Sequence, residues 1–338
     1  MKIFMDFAIL RREGLTRKSL LAARAEIREC ERALKEFDCH IDAALQHPNL
    51  SAASKRFIKQ QWYGDARGGA LSLGNRSVHR AAMISSITVL LLHAQNEPSA
   101  RQGRLRFRML TTTPDLGITD FDTPEINFAA VCRQFDVTAR RAGVDALAFM
   151  DLAIIDERLT LEPMRIAIHM HAAVRAMDTS FRTKTAQRVA SSARRPLNRL
   201  GLKVVKISAK KRDWGQALRR MHVAKLGYYV RKISCGLKVP YFDQFGIRRT
   251  RTTLHGWKLE HALRQLECYT HFDAWETTRG VGQGGVLRAH WKSLVLGLLR
   301  CDDTARGLKI DHDRLEREWT RIWTELGTGA MRAVHVVG

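Results

Sequence analysis

Apolar positions between residues 16 and 47 recur every seven residues. Leu20, Ile27, Leu34 and Ile41 fill one seam position, and Ala23, Cys30, Phe37 and Ala44 the other. This is the a/d pattern of one long helix over about four heptads, which Pro48 ends. A helix packed into a bundle accounts for it more simply than a dimer zipper. A second helical stretch covers 75–95. The texture changes at Arg104, where RLRFRMLTTT (104–113) alternates with period two and reads as a strand. Residues 123–142 read as a helix, and 145–155 (DALAFMDLAII) and 164–174 (MRIAIHMHAAV) as two further strands. A basic helix over 182–199 stops at Gly201, a fourth strand spans 202–208, and a helix covers 214–237. The first six of these elements follow the β-α-β-β-α-β order of a ferredoxin-like, split βαβ unit. The expected fold class is therefore α+β: a ferredoxin-like four-stranded antiparallel sheet, with two helices on one face and the other face open. Residues 240–338 read as mainly helical, with Leu315, Trp319, Ile322, Trp323 and Leu326 forming an amphipathic stripe. The expected organisation is a helical N-terminal region (1–102), the sheet domain (103–237) and a helical C-terminal region (238–338).

Composition narrows the class. The chain of 338 residues is 45% hydrophobic and 27% charged, which suits a folded protein of about two domains. Its longest apolar run, Ala81–Leu92, contains two serines and is too short for a bilayer. Asp6 interrupts the apolar N-terminal stretch and no small-residue cleavage site follows, which argues against a secretory signal. A cytoplasmic protein with no membrane partner is expected. Six cysteines without a CxxC pair read as reduced, buried thiols rather than zinc ligands. Charge changes the picture most. Lys and Arg total 57 against 34 Asp and Glu, a net charge of +23. Such a surface calls for a polyanion, and nucleic acid is the default partner; a generally basic proteome or a membrane surface are the other readings.

The strand MRIAIHMHAAV carries the strongest chemical signal. Its even positions, Ile166 to Val174, are apolar and are expected to pack under the two helices. His169 and His171 alternate with them, so both imidazoles project from the other face, where two neutral imidazoles at i and i+2 can chelate one divalent cation. A carboxylate would complete such a site for a hard cation, Mg²⁺ or Mn²⁺. The candidates are Asp151, a charge inside the apolar run of the preceding strand, and Glu162; strand parity alone does not choose between them. In the first strand Leu105, Phe107 and Met109 alternate with Arg104, Arg106 and Arg108. If the apolar set packs under the helices, these arginines join Arg165 and Arg175 on the histidine face as a phosphate-binding surface.

The helix after the sheet holds a candidate nucleophile. Val223, Leu226, Val230, Ile233 and Leu237 make its apolar stripe. Tyr229 lies about 70° from the stripe centre and Tyr228 about 170° away, facing solvent. Lys225 and Lys232 flank Tyr229 within a turn, where an ammonium can lower a phenol's pKa or hold a phosphate. The plainer reading is a boundary aromatic with a wet hydroxyl.

In their order along the chain, RMLTTTP, IAIHMHAAV and Tyr229-Val-Arg-Lys232 resemble the three motifs of the HUH endonucleases that initiate rolling-circle replication. The resemblance covers about residues 103–237. It implies that His169 and His171, with a carboxylate, hold Mg²⁺ or Mn²⁺. It implies that Tyr229 attacks a phosphodiester of single-stranded DNA at a replication origin, leaving a 5′-phosphotyrosine and a free 3′-OH, while Lys232 positions the phosphate. The adjacent Tyr228 departs from the widely spaced pair of two-tyrosine members, so one nucleophile is expected. Nothing matches GxxxxGK[ST], so a host helicase would supply unwinding. The glycine run at 280–285 reads as a plain loop, with no convincing strand before it. A single-tyrosine transposase has the same chemistry, and a non-catalytic basic nucleic-acid-binding protein is the rival of a different class.

Overall fold

The computed structural model describes residues 17–64, 71–79, 81–96, 106–112, 117–156, 163–176, 205–207, 226–227, 230, 233, 235–242, 244–246, 248–299 and 309–337. It is a mixed α+β fold. The long helix α1 (Arg17–Gln46) is followed by α2 (Ala52–Tyr63), α3 (Arg76–His79) and α4 (Ala81–Asn96). In α1 the seam residues Leu34, Phe37, Ile41 and Ala44 are buried, and Phe37 stacks on Trp62 of α2 with ring centroids 4.5 Å apart. From Leu34 to Ala44 the heptad pattern thus packs within this chain. Ser51 caps α2 by accepting from the Ser54 amide.

The sheet begins with β1 (Arg106–Thr112), β2 (Ile118–Asp120) and β3 (Glu125–Ile126), the last paired with β10 (His335–Val336) outside the main sheet. Helix α5 (Phe128–Ala142) starts later than 123, because β3 occupies that segment; it ends at Gly143, whose φ of 63° suits only a residue without a side-chain penalty. Next come β4 (Asp145–Ile155), β5 (Arg165–Ala176), β6 (Val205–Ile207), β7 (Leu237–Phe242) and β8 (Arg248–Thr253). The chain finishes with α6 (Leu259–Thr270), β9 (Thr278–Val281), α7 (Gly284–Leu299), α8 (His312–Leu326) and β10. The sheet has eight strands, in the order β6-β1-β5-β4-β7-β8, with β2 also pairing β5 and β9 also pairing β4. All pairs are antiparallel except β4–β7.

Three expectations need correcting. First, the sheet is not limited to four strands. Segments 237–242, 248–253 and 278–281, from the stretch read as helical, join it, and Leu237 begins a strand rather than ending a helix. Second, the face carrying the histidines is not open. Every residue of β5 from Ile166 to Val174 is buried, so both faces are covered. Arg279 sits opposite Ala148 and pairs with Asp136, which places α5 over the face of Ala148 and Met170. The histidine face is covered by α6, through Tyr269, and by α7, whose Trp291 meets Phe149 edge-on at 5.1 Å. Third, a strand does precede the glycine run. The turn from β9 into α7 is tight because a Cβ on Gly284 would strike the Ala146 carbonyl and one on Gly282 the Asp145 carboxylate. Asp145 Oδ1 accepts from the Gln283 amide at 2.9 Å, so the turn's glycines serve close packing on β4. The amphipathic stripe of α8 holds as read: Leu315, Trp319, Ile322 and Trp323 are buried and Leu326 half-buried. Among the described cysteines Cys132, Cys235 and Cys268 are buried free thiols and Cys39 is exposed. Among the described residues, no helix is long and apolar enough to cross a membrane.

Candidate metal centre

The register of β1, β5 and β4 assembles the site. His169 lies directly opposite Asp151, and His171 opposite both Thr111 and Phe149. In an antiparallel pair opposed residues share a face, so Thr111, His169, His171 and Asp151 all project to the same side. His169 Nε2 and His171 Nε2 are 3.1 Å apart, and each is 3.4 Å from Asp151 Oδ2. The three residues are 3%, 5% and 3% exposed, and no other group of metal-ligating side chains this compact occurs among the described residues. Bonds of about 2.1 Å to one cation would separate its ligands by about 3.0 Å (octahedral) to 3.4 Å (tetrahedral), which is the spacing seen. This buried group can hold a metal ion.

The surroundings orient its lone pairs. His169 Nδ1 is 3.3 Å from the Ala167 carbonyl, which only accepts, so in the neutral ring Nδ1 carries the proton and Nε2 a lone pair. His171 Nδ1 is 2.8 Å from Thr111 Oγ1, which can accept from it in the same way. Asp151 Oδ1 takes the Leu152 amide at 2.8 Å and the Tyr269 hydroxyl at 3.5 Å, leaving Oδ2 toward the imidazoles. Gln265 Nε2 donates to the Tyr269 hydroxyl at 3.0 Å. Three acceptor atoms thus converge where a cation relieves their repulsion.

Titration favours the same state. Burial works to raise the Asp151 pKa, but the adjoining His169 and His171 imidazoles outweigh it and hold the carboxyl well below its usual range. Burial, reinforced by the positive Lys238, lowers His169. Burial also pushes His171 down to about 4. Near neutral pH the group is one carboxylate and two neutral imidazoles, the form a divalent cation needs.

The other residues read from the sequence are placed differently. Of the two carboxylate candidates, Asp151 meets the histidines; Glu162 lies outside the described residues. So do Tyr228, Tyr229, Lys225, Lys232 and Arg104. Arg165 is half-buried and paired in register with Ile155, and Arg175 with Phe107 and Asp145, both in the parity of His169. Arg106 and Arg108 pair with Ala176 and Val174, the opposite parity. They do not share the histidine face. Phe107 and Met109 take it instead, because that face is itself a packed interior and receives the apolar positions of β1. Sequence reasoning missed Thr111, although it lies within the quoted RMLTTTP segment, and Tyr269 and Gln265, which no local motif marks. The near-continuous apolar run of β4 was a usable signal, since strands buried on both faces read that way.

Comparison with family models, curated proteins and solved structures gave no match. Any functional reading therefore stands on the site itself.

Proposed function

We propose that the chain is a metal-dependent DNA nickase and strand transferase of the HUH type. The observation that carries this reading is the buried Asp151–His169–His171 group joined through Thr111 to the strand of the first motif. The antiparallel run β6-β1-β5-β4 supports it, because that order is the one of a ferredoxin-like sheet, here extended by further strands. A divalent cation, Mg²⁺ or Mn²⁺, held by Asp151, His169 and His171 would polarise the scissile phosphate. Thr111 and the Ala167 carbonyl keep the imidazole tautomers that offer Nε2, and Tyr269 with Gln265 fixes the Asp151 carboxylate. In the proposed reaction the Tyr229 oxygen loses its proton and bonds to phosphorus. The 3′ oxygen leaves and takes up a proton, giving a 5′-phosphotyrosine and a free 3′-OH. Lys232 would position the phosphate. Attack by that 3′-OH, or one like it, would rejoin the strand and restore the tyrosine. Single-stranded DNA at an origin is the proposed substrate, with a host helicase to unwind it; a single-tyrosine transposase would use the same steps.

The burial of the group favours a second reading. Structural metal sites are closed, whereas catalytic ones keep an accessible position, so a non-catalytic basic nucleic-acid-binding protein could use the metal to tie the sheet to α6. One experiment separates the two. The protein is incubated with Mn²⁺ and labelled single-stranded oligonucleotides, and label that migrates with it through SDS is scored. An adduct lost in Tyr229→Phe, retained in Tyr228→Phe and abolished by chelator is the expected result. Binding without adduct on origin-derived strands moves the conclusion to the non-catalytic reading.

A further inference from the structure

The hairpin β7–β8 joins the main sheet at its base. Only Leu237 and Lys238 pair with β4, whereas β7 and β8 pair with each other from Leu237↔Thr253 to Phe242↔Arg248. From Val239 onward the two strands form a ribbon that no other strand flanks among the described residues. Its second strand reads Arg248-Arg249-Thr250-Arg251-Thr252-Thr253. Register puts Arg249 opposite Tyr241 and Arg251 opposite Val239 on one face, and Arg248 opposite Phe242 on the other. Four cations (Lys238, Arg248, Arg249, Arg251) against Asp243 give residues 237–253 a net charge of +3. Arg251 and Thr252 are exposed, and Phe245 at the turn is 74% exposed.

We infer that this ribbon is a second nucleic-acid site, and that its ligand is duplex DNA. The inference rests on reading the chain as a DNA-acting protein. Two strands about 4.8 Å apart fit a major groove about 12 Å wide. Three arginines within four residues of one strand supply cations for phosphates and for the paired acceptors of guanine, and the exposed Thr252 hydroxyl suits a phosphate oxygen. A single strand would want an aromatic platform, but the exposed ring of Tyr241 lies under the Arg251 guanidinium at 5.8 Å.

The test compares the full chain with Arg248→Ser/Arg249→Ser/Arg251→Ser and with the triple Lys variant. Binding of a labelled mixed-sequence duplex and of one of its single strands is followed by fluorescence anisotropy across a salt series. The Ser variant should bind duplex at least about tenfold more weakly, with a log–log salt slope shallower by about 2–3 units, and the single strand nearly unchanged. The Lys variant should keep the slope of the native chain; that rescue excludes misfolding as the cause. Duplex binding indifferent to the Ser variant overturns the inference and leaves the arginines only the task of keeping an edge strand from adding another. Equal loss for both DNAs overturns the duplex assignment. If the native chain binds neither DNA, this inference and the proposed function both fail.

Discussion

Two groups of buried charge lie on either side of α6, and they are built in opposite ways. Arg264 and Glu267 are fully buried, with Nη1 2.5 Å from Oε2. Glu267 also accepts from Trp323 Nε1 at 2.9 Å and from the Val334 amide at 2.6 Å. Arg264 donates to the Arg332 and Asp122 carbonyls and lies 4.7 Å from the centre of the Trp323 ring. There cation meets anion, and both Nη atoms of Arg264 meet acceptors. In the Asp151–His169–His171 group acceptor converges on acceptor. Burial alone therefore says little about function; what distinguishes the two is whether the charge within is already matched. The first group fastens the C-terminal segment to the core, and the second has the means to bind a cation.

The widest expected gap between them comes from removing one carboxylate in each. Glu267→Ala strands a buried guanidinium and should cost about 3–5 kcal/mol in denaturant unfolding. Asp151→Asn, measured without metal, should cost less, since the amide keeps an oxygen for the Leu152 N–H and leaves no buried charge without its partner. Comparable losses would dissolve the contrast. Metal then sharpens it: Mn²⁺ at about a hundred times its dissociation constant should stabilise the native chain by about 2.7 kcal/mol, seen as a higher melting temperature that chelator reverses. Asp151→Asn should show no such rise. The rise should also vanish below about pH 4, where His171 takes up a proton. The smallest effect is expected from Tyr269→Phe. Losing the hydroxyl behind Asp151 should weaken Mn²⁺ binding about tenfold, read by calorimetry, with little change in the metal-free melting temperature.

Local pattern made several elements legible. The sequence placed β4 at 145–155, where it stands, and β5 at 164–174, within two residues of its observed ends. It also put His169 and His171 on one face and offered Asp151 as their carboxylate. These follow from period two and from the cost of a lone charge in an apolar strand. What failed depends on distant chain. The histidine face was taken as open because the helices that cover it come from 259–299, outside the split βαβ pattern. The parity of β1 was misassigned for the same reason: with both faces buried, apolar residues mark neither as the inner one, and only the pairing of Thr111 with His171 settles it. β8 and β9 went unseen because Arg248–Thr253 and Thr278–Val281 carry almost no hydrophobic alternation and are strands by virtue of their partners; β7 was missed because Leu237 also fits the helical stripe of Val223, Leu226, Val230 and Ile233.

The outer edge of β4 is shared, with β9 along Ala146–Phe149 and β7 at Ile154–Ile155. Both partners are synthesised long after β4 itself. A nascent chain that has just completed β5 holds an eleven-residue apolar strand with one bare side, the kind of edge that recruits other chains. Pairing across 83 residues (Ile154 with Leu237) to 135 (Ala146 with Val281) is slow. The time between translation of β4 and arrival of residues 237–281 is thus the interval in which this protein is most exposed to misassembly, and its yield on expression should improve when a holding chaperone is supplied.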